Sequence, residues 1–489
     1  MFSPSQRQLD IFSIWQNRDT NILINAVAGS GKTTTLLQLL ELCNSKTLFL
    51  AFNKSIQEEI QSKIDIKGLR QGKSMTLHSL GLLAIRNSYK KWKINNGKNF
   101  DLIKKLQSDE RRIFSRLSWE DKIKFTYTLM DMNDISRLFL TDNIEEIKIH
   151  FNSMDKLMVS HPDLEYIWSK LLELRTESYE QNLVEIDFND MIYLPVLKNL
   201  HIPIDPIYLM IDEAQDLNLS QHKLIENLIA QGDVKKWIAV GDRNQAIYGF
   251  SGAYSSSFDL FLEQGNVVEL PLDICYRCST KIIDTANEVY DVMEYANDEE
   301  GIVENITDTQ FIKDNSMIIC RNSKPLIDLY FELLGLKKDV YIKGEDILTG
   351  LIRFLKPYGN HTTDSARIEM LYKIEELSTD NSDTGKIKLY YFKEDFEKYK
   401  KLAQHLAVQY ETVDSLVNKI KTLFIDKKNA IMLCTIHKSK GLEADIVYIL
   451  DEKLIPSKFA KSTEQRKQEN NLKYVARTRA KKELYFLNI

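Results

Sequence analysis

Lys32 and Thr33 close a glycine turn, Ala26-Val27-Ala28-Gly29-Ser30-Gly31, that follows the apolar run 21–25 and precedes a helix-like stretch, 34–42. Strand, glycine turn and helix start in that order gather backbone N–H groups about one small volume, where the helix dipole also favours anions. A triphosphate suits that volume. Ala28, Gly29, Ser30, Gly31 and Thr34 would cradle it, Lys32 would reach its β- and γ-phosphates, and Thr33 would offer a hydroxyl to Mg2+. The usual pattern has glycine where this chain has Ala26, so on this segment alone a glycine turn between packed elements is a competing reading.

A second segment decides between them. Leu209-Met210-Ile211-Asp212-Glu213-Ala214-Gln215-Asp216 reads as an apolar strand ending on two adjacent carboxylates. Neighbouring residues of a strand point to opposite faces, so at the carboxyl edge Asp212 is assigned to the metal and Glu213 to proton abstraction from water. The apolar run before them makes simple solvation a poor account of the pair. Together the two segments describe hydrolysis of a nucleoside triphosphate rather than its mere binding.

These residues must be held by a chain of 489 residues, more than one hydrophobic core usually organises, so two to four folding units are expected. Hydrophobic content of 43% is that of a globular protein, no apolar run reaches a membrane span, and residues 1–10 lack a signal-peptide layout; the cytosol is the expected compartment. The five scattered cysteines suit reduced thiols better than a disulfide framework. Cys275 and Cys278 form a CxxC with no second pair at zinc spacing, so a metal or redox role competes with coincidence inside another motif. A net charge of −5 argues weakly against a polyanion partner, because phosphate binding needs local charge. The runs Lys90-Lys91-Trp92-Lys93, Lys98, Lys104-Lys105 and Arg111-Arg112 supply it locally, either for nucleic acid or as a solvated helix face.

Short β-branched runs at 21–27, 47–52, 207–211, 237–240 and 267–270 alternate with helical stretches, and a second series follows at 317–320, 340–342, 431–436, 446–450 and 484–487. Two α/β cores with parallel sheets are the economical account. The expected division is a first core over 1–85 and 186–262 with a helical insertion at 86–185. The second core takes 263–347 and 428–489, with a reduced helical insertion at 348–427. Asp187 is expected to cap a helix over 188–194.

Eight segments in order resemble the superfamily 1 DNA helicases of the UvrD/Rep class. Besides Gln6 in the opening segment, they are AVAGSGKT with its alanine, Ala51-Phe52-Asn53-Lys54, Thr76-Leu77-His78-Ser79, Asp212-Glu213-Ala214-Gln215, the stretch from Gly241 to Ala253, Tyr276-Arg277, the segment Thr435 to Glu443, and Tyr474 to Ala480. AFNKS with a following HSL is closer to the F-box DNA helicase branch, although no F-box is visible. The resemblance implies two RecA-like P-loop NTPase cores and Mg-ATP hydrolysis at their interface. It also implies 3′ to 5′ movement on single-stranded DNA with opening of duplex at single-strand/duplex junctions. Gln6 and Tyr276 would hold adenine; Gln245, Arg277 and Arg479 would face the γ-phosphate, Arg479 as arginine finger; Glu443 would approach the ribose or the nucleotide-side network. Phe52, Asn53, His78, Tyr248, Phe250 and His437 would meet DNA, with core packing the rival account of the two aromatics Tyr248 and Phe250.

Two departures stand out. Ser251 occupies the place where many relatives carry the arginine thought to couple nucleotide state to DNA grip, so Asn244, Tyr248 or a nearby basic residue is expected to substitute. The second insertion is shorter than in UvrD, so a monomer is expected to suffice. No nuclease domain is expected after Arg479, and the resemblance points to a cytoplasmic motor of a prokaryote or phage, working with accessory replication or repair proteins. The alternative within enzymes is a single-strand translocase that strips proteins and unwinds little; RNA as the track stays open.

Overall fold

A computed structural model describes residues 4–489 apart from 155–157, 250–255, 380–388, 391, 394, 401–411, 423, 424, 426 and 428. The chain divides into two compact units, Met1–Asp273 and Ile274–Ile489.

In the first unit, strands β1 (Asn21–Ala26), β2 (Thr47–Ala51), β3 (Gly72–Thr76), β6 (Tyr208–Ile211), β7 (Lys236–Gly241) and β8 (Val267–Leu272) form a parallel sheet in the order β3-β2-β6-β7-β1-β8. Alternate residues serve opposite faces: Ile22, Ile24, Phe49, Met210, Ile238 and Val240 enter one core cluster, and Leu23, Leu48, Leu50, Leu209, Ile211 and Ala239 the other. Burial on both faces is why these strands read as continuous apolar runs rather than alternating ones. β8 pairs with β1 from Asn21↔Val267 to Ala26↔Leu272, so the first unit runs past the expected boundary at 262. The order also sets the chemistry. β7 lies between β1 and β6, so the turns after these three strands open at one sheet edge, where α/β sheets bind ligands.

The helical segment between β3 and β6 has its own core, built on Phe125, Leu129, Met132, Ile135, Ile167, Trp168 and Leu171 from helices Trp119–Phe139 and Leu164–Ser178. Its ends meet in a short parallel pair, β4 (Trp92–Ile94) with β5 (Val184–Ile186). Beside this pair Arg137, 2% exposed, donates to Asp187 at 2.7 Å, Asp190 at 2.8 Å and Asp134 at 2.7 Å. Lys98 is buried as well and reaches Asp190 at 2.6 Å, so this member of the basic run is a core ion-pair partner and not a surface charge. Burial raises the Asp190 carboxyl, but Arg137 and Lys98 overcome that and hold it below the usual range. Asp187 does accept from the Asp190 N–H at 2.9 Å, but the helix is Asp190–Leu197 with Asn189 as its N-cap; Phe188, expected inside the helix, lies before it.

In the second unit, β9 (Ile274–Cys275) and β10 (Glu294–Tyr295) pair with each other. The strands β11 (Ile302–Ile306), β12 (Met317–Cys320), β13 (Val340–Ile342), β14 (Ile431–Thr435), β15 (Ala444–Leu450) and β16 (Ala480–Leu487) form a parallel sheet in the order β11-β16-β15-β12-β14-β13. Helices Glu345–Leu355, Thr363–Ser378 and Val413–Thr422 lie between β13 and β14. The two parallel α/β cores are the architecture expected of a RecA-like pair. Among the described residues no helix is long and apolar enough to cross a membrane.

One polar group sits in the core behind β6. His222 is 1% exposed, packs on Phe261 and has Nε2 2.7 Å from Ser257 Oγ. The Ser257 hydroxyl donates its one proton to the Ala214 carbonyl, so His222 must donate from Nε2, which fixes a neutral ring protonated at that nitrogen. Protonating Nδ1, which has no hydrogen-bond partner, would bury a charge; burial accordingly pushes the His222 pKa down to about 4.

Two outcomes follow from these buried groups. Arg137→Met leaves Asp187 and Asp190 short of their principal cation and should lower stability by about 3 to 5 kcal/mol, read from urea midpoints, with partial recovery when Asp187→Asn is added; an unchanged midpoint would refute the pairing. For His222 the unfolded ring takes up a proton near its ordinary 6.5 while the folded ring stays neutral down to about 4. Stability is therefore complete above pH 6.5 and is lost as pH falls toward 4, on the order of a few kcal/mol, and His222→Gln, which keeps a donor but does not titrate, should flatten that slope.

Candidate functional site

The phosphate-loop candidate begins where β1 ends. Gly29 and Gly31 have φ of 70° and 82°, a left-handed backbone that glycine adopts without a Cβ penalty. Ser30 folds inward and donates to the Val27 carbonyl at 2.9 Å. Gly31 is the N-cap of helix Lys32–Leu42 and offers no side-chain cap, so the helix start presents its N–H groups to an external acceptor. Lys32 Nζ lies 3.5 Å from the Val27 carbonyl, on the loop itself.

Gln8, rather than Gln6, makes the contact between the N-terminal helix Gln6–Asn17 and this loop. It is 1% exposed, donates to Thr35 Oγ1 at 2.9 Å and accepts from the Ser5 N–H at 3.0 Å, while Gln6 is exposed and donates to Asp10 at 2.7 Å. The Ser5-x-x-Gln8 spacing, which is that of a capping box, was the available signal.

β6 ends at Ile211, and Asp212 and Glu213 follow it. The two carboxylates are not separated by strand alternation, as expected, but by a left-handed turn at Glu213, φ 52°. Left-handed backbone is uncommon outside glycine and costs energy that its surroundings must offset. The surroundings are specific. Gln215 donates to Glu213 and, at 3.2 Å, to Asp216, and its Oε1 accepts from the Asp242 N–H at 3.0 Å. A Cβ on Gly241 would stand 2.3 Å from that oxygen, so only glycine lets β7 approach so closely. The His222–Ser257 chain holds the Ala214 carbonyl from behind.

Asp212 accepts from Thr33 Oγ1 at 3.3 Å. Burial, joined by the Glu213 charge and opposed by Lys32, pushes its carboxyl up to about 7. Asp242, which sequence reading passed over, is 1% exposed, accepts from Gln245 Nε2 at 2.6 Å, and is likewise raised by burial and relieved by Lys32. Thus Lys32, Thr33, Asp212, Glu213 and Gln245 do come together, with Asp242 as the link to Gln245. Thr33 Oγ1 beside the buried Asp212 carboxylate, whose charge Lys32 only partly offsets, is a hard-oxygen pair that fits Mg2+.

Of the residues assigned to DNA, Phe52 and Tyr248 stack on each other with centroids 5.9 Å apart and planes 11° off parallel. Asn53 uses its side chain as N-cap of helix Lys54–Ile66, accepting from Ile56 N at 2.9 Å. His78 stacks at 3.7 Å on Phe188, which is 58% exposed and was not singled out from the sequence. Phe250 and Ser251 lie outside the described residues.

In the second unit Tyr276 is 49% exposed. Arg277 Nε is in close ionic contact with Glu443, 2.6 Å, and Nη1 donates to the Thr478 carbonyl at 3.4 Å. Glu443 also pairs with Lys481 at 2.8 Å; burial would raise its carboxyl, but Lys481, Arg277 and Arg479 hold it low. Its partners are therefore cations of its own unit, one of them the Arg277 assigned to the γ-phosphate. Arg479 is 1% exposed and donates to the carbonyls of Val475 and Leu442, both at 3.0 Å. His437 follows β14 in the short helix Ile436–Ser439; burial, with Arg321 and Lys440 adding to it, pushes its pKa to about 3.

Comparison with known proteins agrees with this geometry. Residues 10–265 match the model of the UvrD/REP helicase N-terminal domain and residues 430–487 that of a UvrD-like helicase C-terminal domain. An ATP-dependent DNA helicase Rep of Buchnera aphidicola subsp. Schizaphis graminum is 23% identical over 95% of this chain and 90% of its own length. Rep of Buchnera aphidicola subsp. Acyrthosiphon pisum is 25% identical over 55% of this chain, and PcrA of Leuconostoc citreum 25% over 56%; those matches span 42% and 37% of the relatives' lengths. With one family model covering more than half of it, the chain belongs to the UvrD/REP helicase family.

Proposed function

We propose that this protein is an ATP-dependent DNA helicase that moves 3′ to 5′ on single-stranded DNA and opens duplex, with Lys32, Asp212 and Glu213 of the first unit and Arg277 and Arg479 of the second acting on one ATP. The observation that carries the reading is the cluster at the carboxyl ends of β1, β6 and β7: a glycine cradle, a lysine beside two buried carboxylates, and Thr33 bonded to Asp212. Bound Mg2+, held by Thr33 and Asp212, would neutralise phosphate charge. Glu213 would take the proton of the attacking water, its direction fixed by the left-handed turn and by Gln215. Arg479 would meet the charge that develops on the transferred phosphoryl group, and Gln245, tied to Asp242, would carry the nucleotide state toward Tyr248 three residues on.

The Phe52–Tyr248 pair, from the segments after β2 and β7, and Phe188 on His78, from those after β5 and β3, give the first unit two aromatic surfaces. Base-on-ring stacking contributes about 1 to 3 kcal/mol per base whatever the sequence, which suits a track that must be gripped and released. The relatives named above are ATP-dependent DNA helicases by name, which favours DNA as the track.

ATP turnover measured with single-stranded DNA, duplex DNA and RNA side by side tests the reading. Turnover should rise with single-stranded DNA, and Lys32→Ala should silence it in every arm. Glu213→Gln should cut the rate by about 10² to 10⁴ while nucleotide still binds, as expected when a general base is removed. Strand displacement on a 3′-tailed duplex but not a 5′-tailed one supports the direction. Stimulated turnover with no displacement on either would identify a translocase instead, and turnover indifferent to nucleic acid would refute both.

A further inference from the structure

Cys275 and Cys278 bracket Tyr276 and Arg277, and the function proposed above uses only the bracketed pair. β9 ends at Cys275, and the turn that follows leads to Ser279 and helix Thr280–Asn287. The turn folds Cys278 back so that its N–H donates to Cys275 Sγ at 3.4 Å, while its own sulfur lies 3.8 Å from the Thr478 carbonyl. That carbonyl also receives Arg277, and Thr478 immediately precedes Arg479. Both thiols are free, at 1% and 5% exposure. Among the described residues no group of three or more metal-ligating side chains is assembled, so zinc would lack its four-ligand set here.

The neighbours of Cys275 make it a nucleophile. The Cys278 side chain beside its sulfur acts against burial, joined by the backbone N–H groups of Cys278 and Arg277 and by the Arg277 charge, so its pKa is held down to about 7. Cys320, in which burial outweighs the backbone N–H groups of Asn322 and Arg321 and the Arg321 charge, is pushed up to about 12 and serves as an internal contrast. A thiol that is partly ionised near neutral pH and has a second thiol against it is the arrangement in which sulfur oxidation is resolved as a disulfide.

We propose that Cys275 and Cys278 form a peroxide-sensitive dithiol that closes to a disulfide across Tyr276-Arg277 and slows nucleotide turnover. In the first step the Cys275 thiolate attacks one oxygen of hydrogen peroxide; the O–O bond breaks, a sulfenic acid forms, and the departing hydroxide takes a proton to become water. In the second the Cys278 sulfur attacks the Cys275 sulfur; the S–S bond forms, the S–O bond breaks, and hydroxide leaves with the Cys278 proton as water. Two thiols and one peroxide give one disulfide and two waters, the sulfurs supplying both electrons. The burial of the pair selects a small oxidant over a bulky one such as glutathione disulfide. Closure draws the Cys278 sulfur from the Thr478 carbonyl and restrains the turn that sets Arg277 against Glu443.

The effect on rate rests on the function proposed above; formation of the bridge does not, so the two fail separately. The full chain is treated with hydrogen peroxide, mapped by mass spectrometry, and assayed for ATP turnover with single-stranded DNA before and after reduction by dithiothreitol. A bridged peptide containing Cys275 and Cys278 should form before Cys320 is oxidised, with turnover falling by about tenfold or more, the scale at which small displacements of positioning groups act, and returning on reduction. Cys278→Ser should form no bridge and leave Cys275 as a sulfenic acid, trapped by dimedone added as the protein is unfolded; Cys275→Ser should abolish both, and it serves if the first variant folds poorly. A bridge with unchanged turnover, or Cys320 oxidised as fast as Cys275, would overturn the proposal. A reduced protein without ATPase activity would instead count against the helicase reading, and the peptide map would still judge the dithiol.

Discussion

Asp212 and Asp242 are buried carboxylates at the ends of strands on the same side of β1, and both lean on the ammonium of Lys32. Desolvation raises each, and Lys32 acts against it in each case. Carboxylates left in this state favour the arrival of a cation, and a lysine so placed is already aimed where phosphate oxygens would come. The sheet order makes this convergence unavoidable. With β7 between β1 and β6, a loop that cradles phosphate, an acid that can hold a metal and an acid that reaches Gln245 emerge at one edge. The close approach that Gly241 permits then locks β7's end to the Gln215 side chain, which in turn holds Glu213.

Much of this was legible in the sequence because burial on both faces of a parallel sheet writes itself as uninterrupted apolar runs. β1, β2, β6, β7, β12, β13, β14 and β15 all appear that way. β11 does not: Glu304 and Asn305 sit in an edge strand whose residues are largely exposed, so no apolar run marks it. β3 escaped for a similar reason, since Lys73 and Ser74 interrupt it. The boundary at 262 fell short because β8 returns to pair with β1, a long-range contact that no local pattern encodes.

At the site, residue types were legible and conformations were not. Lys32, Thr33, Asp212 and Glu213 follow from a pattern, but the left-handed turn at Glu213 depends on Gln215, Ser257 and His222 arriving from other elements. Lys98 reads as one more exposed basic residue until Asp190 is placed beside it. Phe188 reads as a helix residue until the helix starts at Asp190 and leaves its ring exposed on His78.

Arg479 poses a further physical requirement. Its guanidinium is buried and donates to two neutral carbonyl oxygens of its own unit, those of Val475 and Leu442, with Glu443 close enough to feel its charge. Hydrogen bonds from a cation to an anionic phosphate are roughly twice as strong as those between neutral partners. Exchanging carbonyls for phosphate oxygens is therefore downhill only when the phosphate itself is presented without water. A guanidinium stored in this way does not act on solvent or on stray anions, because the carbonyls hold it until a better acceptor is delivered. The same argument applies to Arg277: in the proposed role its contact with Glu443 would loosen for a triphosphate, and Glu443 would then be left to Lys481. On the proposed function, nucleotide binding in the second unit would thus be an exchange of partners among three cations and one carboxylate, and the strength of the Glu443 pairs would set how readily Arg277 is released.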